Sequence, residues 1–148
     1  MSTDAVAAKT MTASRQERIM LWTGRVISGL IACLFILSGT MKLVNPAGMT
    51  EGLGHLGIPE SMLLPLGILE LACVLVYLVP ATSVLGAVLL TGYLGGAICT
   101  HWRVGDAFPV QVVMGLAVWG GLYLRDRRLR ALLPLRRQEP VAGREHAA

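Results

Sequence analysis

The chain is poor in the residues that hold inorganic centres or covalent frameworks. Its 148 residues include three cysteines, Cys33, Cys73 and Cys99, each in a different apolar segment and none in a C-x-x-C pair. That spacing excludes a disulfide framework and a zinc knuckle, and leaves the thiols as small hydrophobes. No ligand set for haem, flavin or an iron–sulfur cluster is present, so neither a metal nor an intrinsic cofactor is expected. Aromatic residues make up 5% of the chain, and the apolar middle does not interleave them with bases as a nucleic-acid surface would. The net charge of +4 therefore does not signal nucleic acid, because the basic residues sit at the two ends.

What is abundant is hydrophobicity. Apolar residues account for 54% of the sequence and the mean hydropathy is +0.62, more than a soluble core of this size needs, which places the chain in a membrane. Residues 61–79 are long enough to cross a bilayer and carry one carboxylate, Glu70. At ~1.5 Å per residue it lies about 14 Å below Ser61, near the midplane of a ~30 Å hydrocarbon layer. An acid at that depth is costly unless paired, protonated or facing a polar cavity, which makes it a candidate functional group.

The remaining spans follow from apolar runs and their punctuation. Residues 1–21 carry Ser, Thr, Ala and scattered charge, and are read as a mobile arm. Arg15, Arg18 and Arg25 precede the apolar run 26–43 as a signal-peptide n-region would. The run is longer than an h-region and no A-x-A site follows, so an uncleaved first helix is expected. Asn45 and Pro46 should end it and open a short amphipathic segment, 46–57, resting on the outer surface as a cap, with Asn45 as N-cap. The second span is 61–79, stopped by Pro80. The third is 83–100, where Gly86, Gly92, Gly95 and Gly96 favour close helix contact within the bundle, or in a dimer as the second choice. The fourth is 108–124, short for a span. Residues 22–124 thus form one membrane domain, and 125–148 a basic tail suited to an anionic leaflet.

Eleven of the thirteen basic residues precede the first span or follow the fourth; only Lys42 and Arg103 fall on the other side. The positive-inside rule then predicts an all-α fold, a four-helix transmembrane bundle with both termini cytoplasmic. Trp22, Tyr77 and Tyr123 would mark the inner interface and Trp102 the outer one.

This orientation sorts the polar groups by depth. Lys42 ends the first span, His101 ends the third and Gln111 starts the fourth, all in the outer half above Glu70. Because Cα–Cβ bonds tilt toward a helix's own N-terminus, Lys42 and His101 lean down while Glu70 leans up. Lys42, Glu70 and His101 are the candidate proton-exchanging or ligand-contacting layer. Ser38 and Gly67, each a turn or less away on an inward stripe, and Gln111 are candidate ligand contacts. A plainer reading also stands: Lys42 snorkels to the headgroups, His101 is interfacial, and Glu70 bonds a neighbouring helix.

The Ser-Gly-x-x-Lys-Leu of 38–43, Leu-Gly-Ile-Pro of 56–59, Gly-Ile-Leu-Glu of 67–70, the Pro80 turn and Thr100-His101, in that order, resemble the DoxX-like group of small four-helix membrane proteins. The resemblance covers roughly residues 25–125. It implies a multi-pass protein of the bacterial plasma membrane, since some relatives are subunits of quinone-linked sulfur-compound oxidoreductases and others belong to membrane redox-stress complexes. Lacking a cysteine pair, this chain is not expected to exchange thiols directly.

The leading expectation is an accessory or subunit of a quinone-linked membrane redox system, not an enzyme as an isolated chain, with quinone as ligand and a redox protein as partner. Membrane lipid and further copies of the chain are the other expected partners. The alternatives are a proton-coupled small-solute carrier, for which four helices without a repeat are few, and a non-catalytic membrane scaffold.

Overall fold

A computed structural model describes residues 3–45 and 49–132. It is all-helical: α1 (Thr3–Val44), α2 (Met49–His55), a 3-10 turn (Glu60–Met62), α3 (Leu63–Leu78), α4 (Ser83–Arg103), α5 (Pro109–Arg125) and α6 (Arg127–Leu132). No strand occurs among the described residues. Three helical stretches, Ser14–Val44, Glu60–Leu78 and Ser83–Arg103, are long and apolar enough to cross a membrane. At 17 residues, α5 is shorter.

The long helices pack as a ring, α1 against α3, α3 against α4, α4 against α5, and α5 against α1. Each leaves its other side, rich in Leu, Ile and Val, open to the surroundings. That inverted exposure suits lipid as the solvent, because apolar side chains lose nothing by facing hydrocarbon. At the end of the ring where α6 lies, which also carries the N-terminal extension of α1, the packing is tight. Gly24 abuts Gly121 and Arg125, and Gly86 lies directly on the Tyr77 backbone, where no larger residue would fit. Tyr77 is fully buried there and its hydroxyl, 2.9 Å from Ser28 Oγ, donates to the carbonyl of Val118 at 3.0 Å. The Arg125 guanidinium lies over the Tyr77 ring at 4.7 Å.

Several expectations change here. Residues 3–21 continue α1 instead of forming a separate arm, because no proline or glycine interrupts them and the membrane helix below supplies the nucleus from which helix propagates. Asn45 adopts a left-handed conformation (φ 46°), with its N–H on the Met41 carbonyl, so it terminates α1 and is not the N-cap of the next helix. Residues 46–48, with the Pro46 start, lie outside the described residues, and α2 begins at Met49. Tyr77 is a core residue and not an interfacial one, since its hydroxyl finds partners inside the bundle. Of the α4 glycines only Gly86 makes a close contact; a Cβ at Gly92, Gly95 or Gly96 would meet nothing within 4 Å. The basic tail starts as α6, held by Asp126 accepting from the Arg128 N–H at 2.8 Å and by buried Leu129; its remainder, 133–148, lies outside the described residues.

Candidate functional site

At the opposite end of the ring the helices spread around a cleft of about 1070 Å³. Its walls are α1, α3, α4 and α5, and Leu53, Leu56 and Ile58 cover it. The cover is fastened at several points. Arg103 Nη2 donates to the Leu56 carbonyl at 2.7 Å, Asn45 Nδ2 to Glu60 Oε1 at 2.9 Å, and Thr50 Oγ1 to Asn45 Oδ1 at 3.0 Å. His55 Nε2 lies 3.3 Å from Asp106 Oδ2.

Glu70 lies on the cleft wall, 2% exposed, on the α3 face that also buries Leu63, Gly67, Cys73 and Tyr77. It is the one buried Asp, Glu, Lys, Arg or His among the described residues. Lys42 Nζ donates to its Oε2 at 2.8 Å and to Ser38 Oγ at 2.7 Å. Tyr93 Oη donates to the same Oε2 at 2.9 Å. The α1–α3 approach makes the ion pair possible: a Cβ on Gly67 would lie 2.9 Å from the Gly39 carbonyl and 3.1 Å from Lys42 Cβ. Two glycines back to back bring the lysine stem within reach of the acid.

Of the residues expected at the site, the structure joins Lys42, Ser38 and Glu70, and packs Gly67 against Gly39 and the Lys42 stem, off the cleft lining. His101 is not bonded to this group. Its Nδ1 lies 2.8 Å from the Ala97 carbonyl, one turn back on α4, and its Nε2 lies 3.2 Å from Gln111 Nε2. The neutral tautomer protonated on Nδ1 satisfies both contacts, donating to Ala97 and accepting from Gln111. Gln111 Oε1 is buried and has no hydrogen-bond partner among the described residues. Both side chains line the cleft, further along than the ion pair. His101 turns back toward Ala97, down its own helix, and neither His101 nor Gln111 bonds Glu70.

Tyr93 was missed by sequence reading, which treated α4 as a glycine-rich packing helix. A tyrosine in mid-span has a hydroxyl that must find a partner in hydrocarbon, and the argument used for Glu70 applies to it. Gly92 and Gly96, a turn apart on α4, line the cleft, where their missing side chains leave room. Phe35 meets Tyr93 edge-on at 6.4 Å between ring centroids and floors the cleft.

The arrangement offers a long apolar volume ending on one compact polar cluster. Lys42 has two of its three N–H groups on Ser38 and Glu70, and among the described residues the third has no partner. Rim residues Leu34, Leu69, Val110 and Val113 are at least half exposed, which opens the cleft sideways toward lipid. No group of three or more His, Cys, Asp or Glu residues that could hold a metal occurs among the described residues.

The model of the DoxX-like family matches residues 26–121, which include every residue of the polar cluster and of the cleft wall. No curated protein and no solved structure matches the chain.

Proposed function

The chain belongs to the DoxX-like family, and from that premise we propose that it is a quinone-binding membrane subunit or accessory of a redox system. In this reading it is a four-span protein of the bacterial plasma membrane, with both ends in the cytoplasm. The observation that carries the reading is the joining of an apolar cleft of about 1070 Å³ to a buried donor and acceptor cluster, Lys42, Glu70 and Tyr93. A quinone is a small ring with two carbonyl oxygens on a prenyl tail. The tail suits a rim of Leu34, Leu69, Val110 and Val113 open to lipid; one carbonyl suits the free Lys42 donor. Electrons would pass to or from a partner redox protein, in keeping with a sequence that carries no haem, flavin or iron–sulfur ligand set.

The test is to purify the full chain in mild detergent and analyse the extracted lipid. Native protein should retain quinone at close to one per chain. Tyr93→Phe, which leaves the ion pair in place, should retain roughly fivefold less, because Glu70 loses the hydrogen bond that fixes it and Lys42 beside the ligand. No enrichment of quinone over a control membrane preparation would sink the reading. Proton flux in liposomes would instead favour the carrier reading; a normally folded protein with neither property would favour the scaffold.

A further inference from the structure

We infer that Glu70 exchanges its proton with the α2 side of the membrane only, through the cleft, and is insulated from the side that carries α6. The inference deepens the ligand-site reading, in that it says to which side protons from a ligand held at this acid would pass.

The asymmetry is built from every wall. Going from Glu70 toward α6, α3 presents Cys73, Val74 and Tyr77, α1 presents Phe35 and Ala32, α4 presents Leu90 and Ala87, and α5 presents Val118 and Leu122, all buried. Glu70 and Tyr77 are separated by seven residues of helix, about 10 Å at ~1.5 Å per residue. The polar groups among those core side chains are the Cys73 thiol, a weak donor beside the cleft, and the Tyr77 hydroxyl, already engaged with Ser28 and Val118. A proton or hydroxide crossing that layer would travel without a partner in low dielectric.

Going the other way, the cleft continues along α4 past Gly96 and Thr100 to His101, with Lys42 and Ser38 opposite. From Tyr93 to His101 is eight residues, about 12 Å. The titratable groups facing Glu70 or its cleft are Lys42 on α1, Cys73 on its own helix, and Tyr93 and His101 on α4; α5 contributes only neutral Gln111 and apolar side chains, α2 contributes Leu53, and the loop after it Leu56 and Ile58. Protonation of Glu70 loosens its pair with Lys42, whose position at the end of α1 lets the ammonium follow the cleft outward.

A lipophilic carbodiimide measures this directly, because it reaches buried carboxyls through the lipid and reacts with the protonated form. The full chain is reconstituted in vesicles whose internal and external pH are set independently, and modification of Glu70 is followed by mass spectrometry, with Glu70→Gln as the blank. Glu51→Cys, at an exposed position of α2, reports which way each molecule faces. Lowering the pH on the α2 side should raise the rate by up to about tenfold per unit while the carboxylate predominates. The same change on the α6 side should leave it unaltered. A rate that follows the α6 side, follows both sides equally, or ignores both overturns the inference. Because no quinone is present, failure of quinone to bind leaves this result intact, and the reverse also holds.

Discussion

Gly86 and Gly92 lie on the same helix, less than two turns apart, and meet opposite surroundings. Gly86 rests on the backbone of Tyr77, while Gly92 faces open space on the cleft wall. The contrast runs along α4: near α6 its glycine removes a side chain so that helices can touch, and on the cleft wall its glycines remove them where helices stand apart, while Gly39 and Gly67 close α1 on α3 beside the cleft. Close contact in hydrocarbon is driven by packing and a few hydrogen bonds, since lipid tails are as apolar as leucine. A cleft therefore persists only where side chains are missing and the lining has somewhere else to pack. The lesson is that a glycine-rich membrane helix carries no single meaning; its neighbours decide whether the glycine closes a contact or opens a volume.

Four substitutions break or sharpen the contrast. The largest effect is expected from Lys42→Met, which leaves Glu70 buried without its cation and should lower stability in detergent by about 3–5 kcal/mol. Adding Glu70→Leu should restore most of it, and thermal unfolding of the single and double variants checks the coupling. If the double variant loses as much as the two singles combined, the pair is not a unit. Next is Gly86→Ala, whose methyl group would collide with the Tyr77 backbone and should cost about 1–3 kcal/mol by forcing α3 and α4 apart. Unchanged unfolding would show that the tight half is looser than described. Tyr77→Phe removes the hydroxyl bonded to Ser28 and Val118 and should cost about 1 kcal/mol. The expected partial non-additivity with Ser28→Ala, measured in a double-mutant cycle, would vanish if the two hydroxyls were independent. The smallest effect belongs to Gly92→Ala. Its methyl group meets nothing, so stability should hold or rise by up to about 1 kcal/mol through helix propensity, while retention of an apolar ligand in the cleft falls. A loss matching that of Gly86→Ala would erase the distinction between the halves.

Much of this was readable from residues alone, for identifiable reasons. Pro80 ends α3 with Val79 already extended (ψ 120°), because a residue before proline avoids helical angles. Pro109 opens α5, where a missing N–H does no harm. The meeting of Lys42 with Glu70 followed from side-chain tilt on antiparallel helices, a rule that depends only on chain direction. Tyr93 and Tyr77 escaped because tyrosine satisfies two readings, interfacial anchor and buried donor, and only the neighbours decide between them. The sequence set His101 and Gln111 in the outer half above Glu70, yet how far the helices spread there depends on tertiary packing, and no local pattern encodes it. The extension of α1 to Thr3 was missed because apolar content, the guide used, reports what is buried and not what is helical.

The ion pair also carries a consequence for how this sequence could change over generations. Lys42 stands at the end of α1 on a flexible stem and is 11% exposed, whereas Glu70 is anchored in mid-helix at 2%. If Glu70 is lost first, the lysine can swing toward the headgroups and keep its charge in water. If Lys42 is lost first, the acid has no such retreat. The two residues are thus ordered in their tolerance of loss: a lineage abandoning the site has an easy path through the acid and a barrier through the base. Gly39 and Gly67 join the same epistatic set, since enlarging either pushes the partners apart while both charges remain.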